Sequence, residues 1–173
     1  MLTEKNGTYK LAHFLDEQRI CRLYEKFILE FYRREMPEIK ANASRIEWQI
    51  EDGDTTFLPE MQSDIMLTCG KKTLIIDAKY YTRSMQEQFG KRSLHSANVY
   101  QIFTYVKNKD VGDTGNVAGM LLYAKTDESV IPQDISVKMG NNWIHATNLD
   151  LNCDFESISA RLKDIARKYL IED

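Results

Sequence analysis

The sequence is poor in cysteine and histidine, with three of each in 173 residues. Cys21, Cys69 and Cys153 are widely spaced and odd in number, which excludes a disulfide framework and suits a reducing cytoplasm. The histidines are isolated and lack the HxH or HExxH spacing that zinc would need. No apolar run approaches the ~20 residues that span a bilayer, and the N-terminus has no apolar signal core, so no membrane role is expected. An excess of positive charge is also missing, since 23 Lys and Arg against 26 Asp and Glu leave a net charge of −3. That argues against wrapping nucleic acid through bulk charge. It does not exclude a site that gathers carboxylates around a metal while local basic loops hold phosphates.

What is present suits one soluble globular domain over residues 1–173, 43% hydrophobic and 28% charged, with 1–14 as a lead-in. Ile20, Leu23, Tyr24, Phe27, Ile28 and Phe31 recur at helical spacing, predicting a helix over 15–34 with Asp16 as N-cap and Pro37 as its stop. Residues 45–50 alternate as a half-buried strand does. Strands follow over 63–68 and 73–81, with Cys69-Gly70-Lys71-Lys72 as the turn; Leu74-Ile75-Ile76, apolar on both faces, marks a central strand. Residues 85–96 read as a mobile polar loop and 97–108 as a helix. A strand over 117–123, a hairpin of 135–139 with 143–149 and a helix over 154–170 complete the chain. The order α-β-β-β-α-β-β-β-α predicts an α/β fold, a central mixed sheet flanked by helices.

If Gly70 and Lys71 form a two-residue hairpin loop, residues equidistant from the tip oppose each other. Asp64 and Asp77 are such a pair, with Cβ atoms expected about 4.5–5.5 Å apart. Lys79, two residues beyond Asp77, projects from the same face. Opposed carboxylates repel unless a cation lies between them, and Mg²⁺ suits one or two carboxylates plus a substrate phosphate. A metal there would activate water, and Lys79 would orient that water and stabilise developing charge. The plainer reading is a surface salt bridge, which contributes little; charges closing an otherwise apolar strand favour function.

Ser63-Asp64-Ile65 and Leu74-Ile75-Ile76-Asp77-Ala78-Lys79-Tyr80-Tyr81 resemble the PD-(D/E)XK nuclease superfamily, and more narrowly McrC, the nuclease subunit of methylcytosine-dependent McrBC restriction systems. The stretch Leu23–Glu35 is similar to the first helix of that nuclease, Gln101-Ile102-Phe103-Thr104-Tyr105 to its Gln-xxx-Tyr helix, and Met120-Leu121-Leu122-Tyr123 to the strand that follows. The resemblance covers most of 15–125 and is less specific over 130–173. Ser63 stands where the superfamily has its namesake proline, and the second acid is Asp.

The resemblance implies a restriction-endonuclease-like core and a Mg²⁺-dependent DNA endonuclease, Mn²⁺ substituting, that works with a McrB-like AAA+ GTPase. It implies that Asp64, Asp77 and the backbone carbonyl of Ala78 ligate the metal and that Lys79 is the catalytic lysine. Glu25 would reach the site from the first helix, directly or through water, against the alternative of an exposed helix charge. Gln101 and Tyr105, one turn apart, would contact the site or the DNA backbone, against simple core packing for Tyr105. Lys71, Lys72, Arg83, Lys91 and Arg92 are expected in loops flanking the site, where they would hold phosphates. Competing functions are a stand-alone repair or recombination nuclease and a non-catalytic scaffold that binds DNA or a partner. No residue pattern reads a base.

Overall fold

The computed structural model describes residues 3–80, 85–88, 91–125 and 134–172, with side chains assigned outside 3–13, 85–88 and 91–92. A long first helix, α1 (Thr3–Glu35), leads into short strands β1 (Lys40–Asn42), β2 (Arg45–Ile46) and β3 (Met61–Gln62). The hairpin β4 (Ile65–Cys69) and β5 (Lys72–Lys79) follows, then β6 (Met85–Gln88), β7 (Lys91–Leu94) and α2 (Ser96–Lys109). β8 (Val117–Ala124), β9 (Ile135–Met139), β10 (Asn142–Leu149) and α3 (Phe155–Ala166) close the chain with a π-helical turn, Arg167–Ile171.

Six strands form one mixed sheet in the order β1-β4-β5-β8-β10-β9, in which β5, β8 and β10 run parallel and the outer pairings are antiparallel. This is the flanked mixed sheet expected from the element order, consistent with a restriction-endonuclease-like core. Two small pairs, β2 with β3 and β6 with β7, stand apart from it.

Strand alternation divides the core. Leu74, Ile76 and Ala78 join Met120 and Leu122 beneath α1 and α3, whose Tyr24, Ile28, Tyr32, Leu162 and Ile165 cover that face. Ile75 and Leu121 lie on the opposite face with Ile102, Tyr105 and Val106 of α2. Two buried hydroxyls of the first layer are satisfied by backbone, Tyr24 donating to Leu122 O (3.4 Å) and Tyr32 to Leu162 O (2.9 Å). Contact between α2 and β8 is close because residue 119 is glycine. A Cβ there would sit 2.6 Å from Ile102 Cγ1 and 2.7 Å from Val106 Cγ2.

Several boundaries differ from expectation. The first helix begins at Thr3 rather than at 15, so Asp16 is an interior residue paired with Arg19 (3.7 Å) and not a cap. Nothing in 3–14 stops a helix except Gly7, whose cost of about 1 kcal/mol a long helix absorbs. The strand expected over 45–50 stops at Ile46, its one buried residue, while Trp48 bonds back to Pro59 O (2.7 Å) and Ile50 is exposed. Three-residue β1 has no alternation to reveal it; only its pairing with β4 makes it a strand. Residues 85–96 hold no mobile loop over their described part. Met85–Gln88 pairs antiparallel with Lys91–Leu94, a polar hairpin that apolar patterning does not show. The last helix gives way to the π-helical turn after Ala166, and Asp154 caps its start by accepting from Ser157 N (2.7 Å).

Candidate active site

The β4–β5 hairpin has the two-residue loop inferred from sequence. Cys69 pairs with Lys72 and Ile65 with Ile76, and Gly70 takes φ +57° at the first loop position, as a type II′ turn requires. One step beyond the last ladder pair, Asp64 stands opposite Asp77. Both share the α2 side with Met66 and Ile75, and Lys79 follows on that side.

Asp64 is held from two directions. Its Oδ2 accepts from the backbone N–H of Ala78 (2.9 Å). The residue before it, Ser63, is 1% exposed and clamped to Ser44: its N–H and hydroxyl both donate to Ser44 O (2.9 and 3.1 Å), and its Oγ accepts from Ser44 N–H (3.1 Å). A serine thus supplies the rigidity that proline would give this position through its fixed φ. The sequence flagged Ser63 only as a departure from the family pattern.

Asp77 is 2% exposed, flanked on β8 by Leu121. Burial, opposed by the Lys79 ammonium and reinforced by the Asp64 charge, pushes its carboxyl up to about 7. Lys79 Nζ lies 2.9 Å from Asp77 Oδ2, but outside hydrogen-bonding direction, so this buried oxygen has an ion-pair neighbour and no directed hydrogen bond. The same ammonium donates to Gln101 Oε1 (3.2 Å), and Gln101 Nε2 donates to the Tyr105 hydroxyl (2.9 Å). Helix α2 therefore steadies the lysine through a side-chain relay, which Gly119 keeps close to the sheet. Tyr105 is buried in the α2-side core, the packing place weighed for it, and its hydroxyl meets Gln101.

Glu25 of α1 is half-buried and within electrostatic reach. Burial first, then the Asp64 charge, raises its carboxyl above the ordinary range, while Lys79 and Arg22 lower it. Asn98, 5% exposed, donates to Tyr123 OH (3.2 Å), and Tyr123 is the β8 register partner of Lys79. Asn98 was not singled out from sequence. The available signal was its position three residues before Gln101, on the same side of the helix.

The basic residues divide. Lys71 and Lys72 are at the hairpin tip, six and five residues of strand from Asp77, about 17–20 Å away along the strand, so they do not flank the site. A hairpin that brings two residues into opposition far from its tip also places the tip far from them. Arg83 lies outside the described residues, as do the side chains of Lys91 and Arg92, whose backbone belongs to β7.

The donor set is oxygen: two carboxylates on adjoining strands, one carrying an undirected buried oxygen. No group of three or more His, Cys, Asp or Glu side chains gathers closely enough among the described residues to enclose a metal. Two protein carboxylates fit a hard cation that keeps water ligands, not a closed structural zinc site. Among the described residues no helix is long and apolar enough to cross a membrane.

The chain is 30% identical over 171 residues to the type IV methyl-directed restriction enzyme EcoKMcrBC of Escherichia coli strain K12, covering 96% of this chain and 48% of that protein. It thus spans about half the length of the curated relative it matches. Among solved structures, the half-complex of Thermococcus gammatolerans McrB AAA+ hexamers with bound McrC includes a chain that matches with TM-score 0.57. That match covers 84% of this chain and 33% of the other at 16% identity, a likeness of fold. A family model described as McrBC 5-methylcytosine restriction system component matches residues 18–124, a span that holds Glu25, Asp64, Asp77, Lys79, Gln101 and Tyr105. The chain belongs to the McrBC 5-methylcytosine restriction system component family.

Proposed function

We propose that this chain is the McrC-like nuclease component of a modification-dependent restriction system, a Mg²⁺-dependent DNA endonuclease of the PD-(D/E)XK type. It would act in the cytoplasm with a McrB-like AAA+ GTPase. The observation that carries the reading is the opposition of Asp64 and Asp77, with Lys79 beside them and tied to α2 through Gln101. The methyl-directed restriction enzyme among its relatives supports the biological setting, and the McrB–McrC assembly supports the choice of partner.

Asp64 and Asp77 would hold the cation, with the Ala78 carbonyl as a further ligand. When bound, the metal supplies Lewis-acid activation of water and charge neutralisation at the phosphate. The protein's own share is positional. Ser63 and the Ala78 N–H fix Asp64, burial limits the rearrangement open to Asp77, and Gln101 keeps Lys79 from collapsing wholly onto the aspartates. The ammonium is then available to orient water and to face charge developing on a phosphate oxygen. Glu25 adds a carboxylate at the margin, suited to a water-mediated contact.

The test is cleavage of long methylated DNA by the chain with its cognate GTPase. Asp77→Ala and Asp64→Ala should abolish Mg²⁺-dependent cleavage and weaken metal binding in calorimetry. Lys79→Ala should abolish cleavage while metal binding persists, and Mn²⁺ should replace Mg²⁺. Ca²⁺ should occupy the site with little turnover, given its looser geometry. If the wild-type chain with its partner cuts no DNA, the nuclease reading fails and a non-catalytic scaffold takes its place; if Asp77→Ala cuts as wild type does, the assignment of Asp77 to the site fails.

A further inference from the structure

At the opposite end of the sheet, about 13–17 Å from Asp77 along β5, lies a cleft of about 490 Å³ that the nuclease chemistry does not use. Its volume falls in the range of small-molecule sites. Trp143 and His145 are two apart on β10 and so share a side; their rings stack with an interplanar angle of 9°. The indole is 44% exposed. Tyr169 meets His145 at 4.3 Å between ring centroids. It is carried there by the π-helical turn, a rare local geometry that occurs often at functional sites.

The polar groups are arranged around this aromatic floor. His145, 7% exposed, shares a hydrogen bond of 2.8 Å with Ser136 Oγ across the β9–β10 ladder. Burial, and then the nearby Lys168 charge, hold its ring down to about 4, so it is a neutral aromatic surface at physiological pH. Lys72 and Lys168 supply two ammonium groups at the rim. The first donates to Glu172 O (3.1 Å); the second leans over the Tyr169 ring at 4.9 Å and reaches Asp134 at 3.4 Å. Glu172 and Asn116 also line the cleft, and among the described residues the carboxylates of Glu172 and of Asp134, the ion-pair partner of Lys168, are set against the two lysines.

A half-exposed indole backed by a neutral imidazole, with lysines at the rim, presents a stacking surface and an anion-binding edge within one small cavity. We propose that this cleft binds a nucleotide, its base stacked on Trp143 and its phosphate held at the Lys72–Lys168 rim. Stacking is tolerant of base identity because every base has a π-face, so little discrimination between purines is expected. The phosphate determines where the nucleotide sits along the cleft. The free mononucleotide and a nucleotide within a strand share this chemistry, and their binding distinguishes them.

The chain has two tryptophans, so Trp48→Phe leaves Trp143 as the only indole reporter. Titration of that variant with adenosine or guanosine monophosphate should give saturable fluorescence quenching at millimolar concentration or below, whereas inorganic phosphate alone should not quench. Lys72→Gln with Lys168→Gln should weaken the apparent affinity about tenfold, and Tyr169→Leu should weaken it by a similar factor. A short single-stranded oligonucleotide that quenches at lower concentration than the monophosphate would assign the site to a strand; the reverse would assign it to the free nucleotide. Chemical-shift mapping on the unsubstituted chain should place the perturbations at Ala118, Trp143 and His145, without dependence on any variant's folding. Absence of saturable quenching by every nucleotide, quenching unchanged by the double lysine substitution, or shifts confined to residues outside the cleft would overturn the proposal.

Discussion

Neighbouring residues of β5 lead opposite lives. Ile76 faces α1 and α3 in a layer where the Tyr24 and Tyr32 hydroxyls bond to backbone carbonyls. Asp77, next in the chain, faces α2 in a layer that buries a carboxylate against Asp64 and admits Lys79. The first face maximises apolar burial. The second accepts a buried, imperfectly bonded charge, a destabilising arrangement that is retained where charge is needed for chemistry. One strand therefore serves as core on one side and as the proposed reaction centre on the other, and on that reading substitutions on its two sides should separate stability from activity.

The largest separation is expected between Asp77→Asn and Ile76→Ala. Asp77→Asn should lower cleavage by about a hundredfold or more, while the melting temperature of the metal-free chain stays level or rises because a buried charge has gone. Ile76→Ala should cost about 2–5 kcal/mol in denaturant unfolding and leave cleavage per folded molecule near wild type. An Asp77→Asn chain that unfolds would break the comparison, making the aspartate a structural residue.

The two ends of the sheet differ in the sign of their pH response. Folding raises Asp77 from 3.8 to about 7, so its contribution to metal-free stability is full below pH 4 and is lost as pH rises towards 7. Folding lowers His145 from 6.5 to about 4, so its contribution is present above pH 6.5 and is lost as pH falls towards 4. Between those values the two slopes oppose each other. Relative to wild type, Asp77→Asn should gain stability from pH 4 to 6.5 and His145→Gln should lose it, each by roughly 3 kcal/mol. Urea unfolding with chelator across that range checks both. Parallel profiles for wild type and variants would remove these groups from the account.

Gly119→Ala sharpens the comparison from the α2 side. The new methyl would meet Ile102 and Val106 at 2.6 and 2.7 Å, so α2 must move away from β8. A cost of about 1–3 kcal/mol is expected. Because α2 carries Gln101, cleavage should fall more than unfolding of the chain explains, which activity measured well below the melting temperature would reveal.

How much of this was legible depended on whether the information was local. The Asp64–Asp77 opposition was readable because a two-residue loop fixes register, and Lys79 followed from strand alternation. The central strand was readable from its apolar run. Ser63's role was not, because its partner Ser44 is nineteen residues away and joins it only through tertiary pairing. Nor were β1 and the β6–β7 hairpin, whose polar residues carry no periodic signal. Placing Lys71 and Lys72 beside the site was an error of distance, since proximity to the turn in sequence meant remoteness from the aspartates in space.

The smallest effect expected is that of Tyr105→Phe, and it tests what the α2 layer does for the lysine. The ring would remain in its buried place, so stability should change by no more than about 1 kcal/mol, the net value of one hydrogen bond. What is lost is the hydroxyl that accepts from Gln101 Nε2, leaving the amide tied at one end only, through Oε1 to Lys79. A freer Gln101 lets the ammonium spend more time on Asp77, 2.9 Å away, and less where it can meet a phosphate. Cleavage should fall by a factor of about 2–10, the range one such bond supports, with metal affinity unchanged in calorimetry. Tyr105→Ala would add a cavity and lower stability as well, so only the phenylalanine variant isolates the relay. Equal cleavage by Tyr105→Phe and wild type would make Tyr105 a packing residue alone and leave Gln101 as the end of the chain of contacts that positions Lys79.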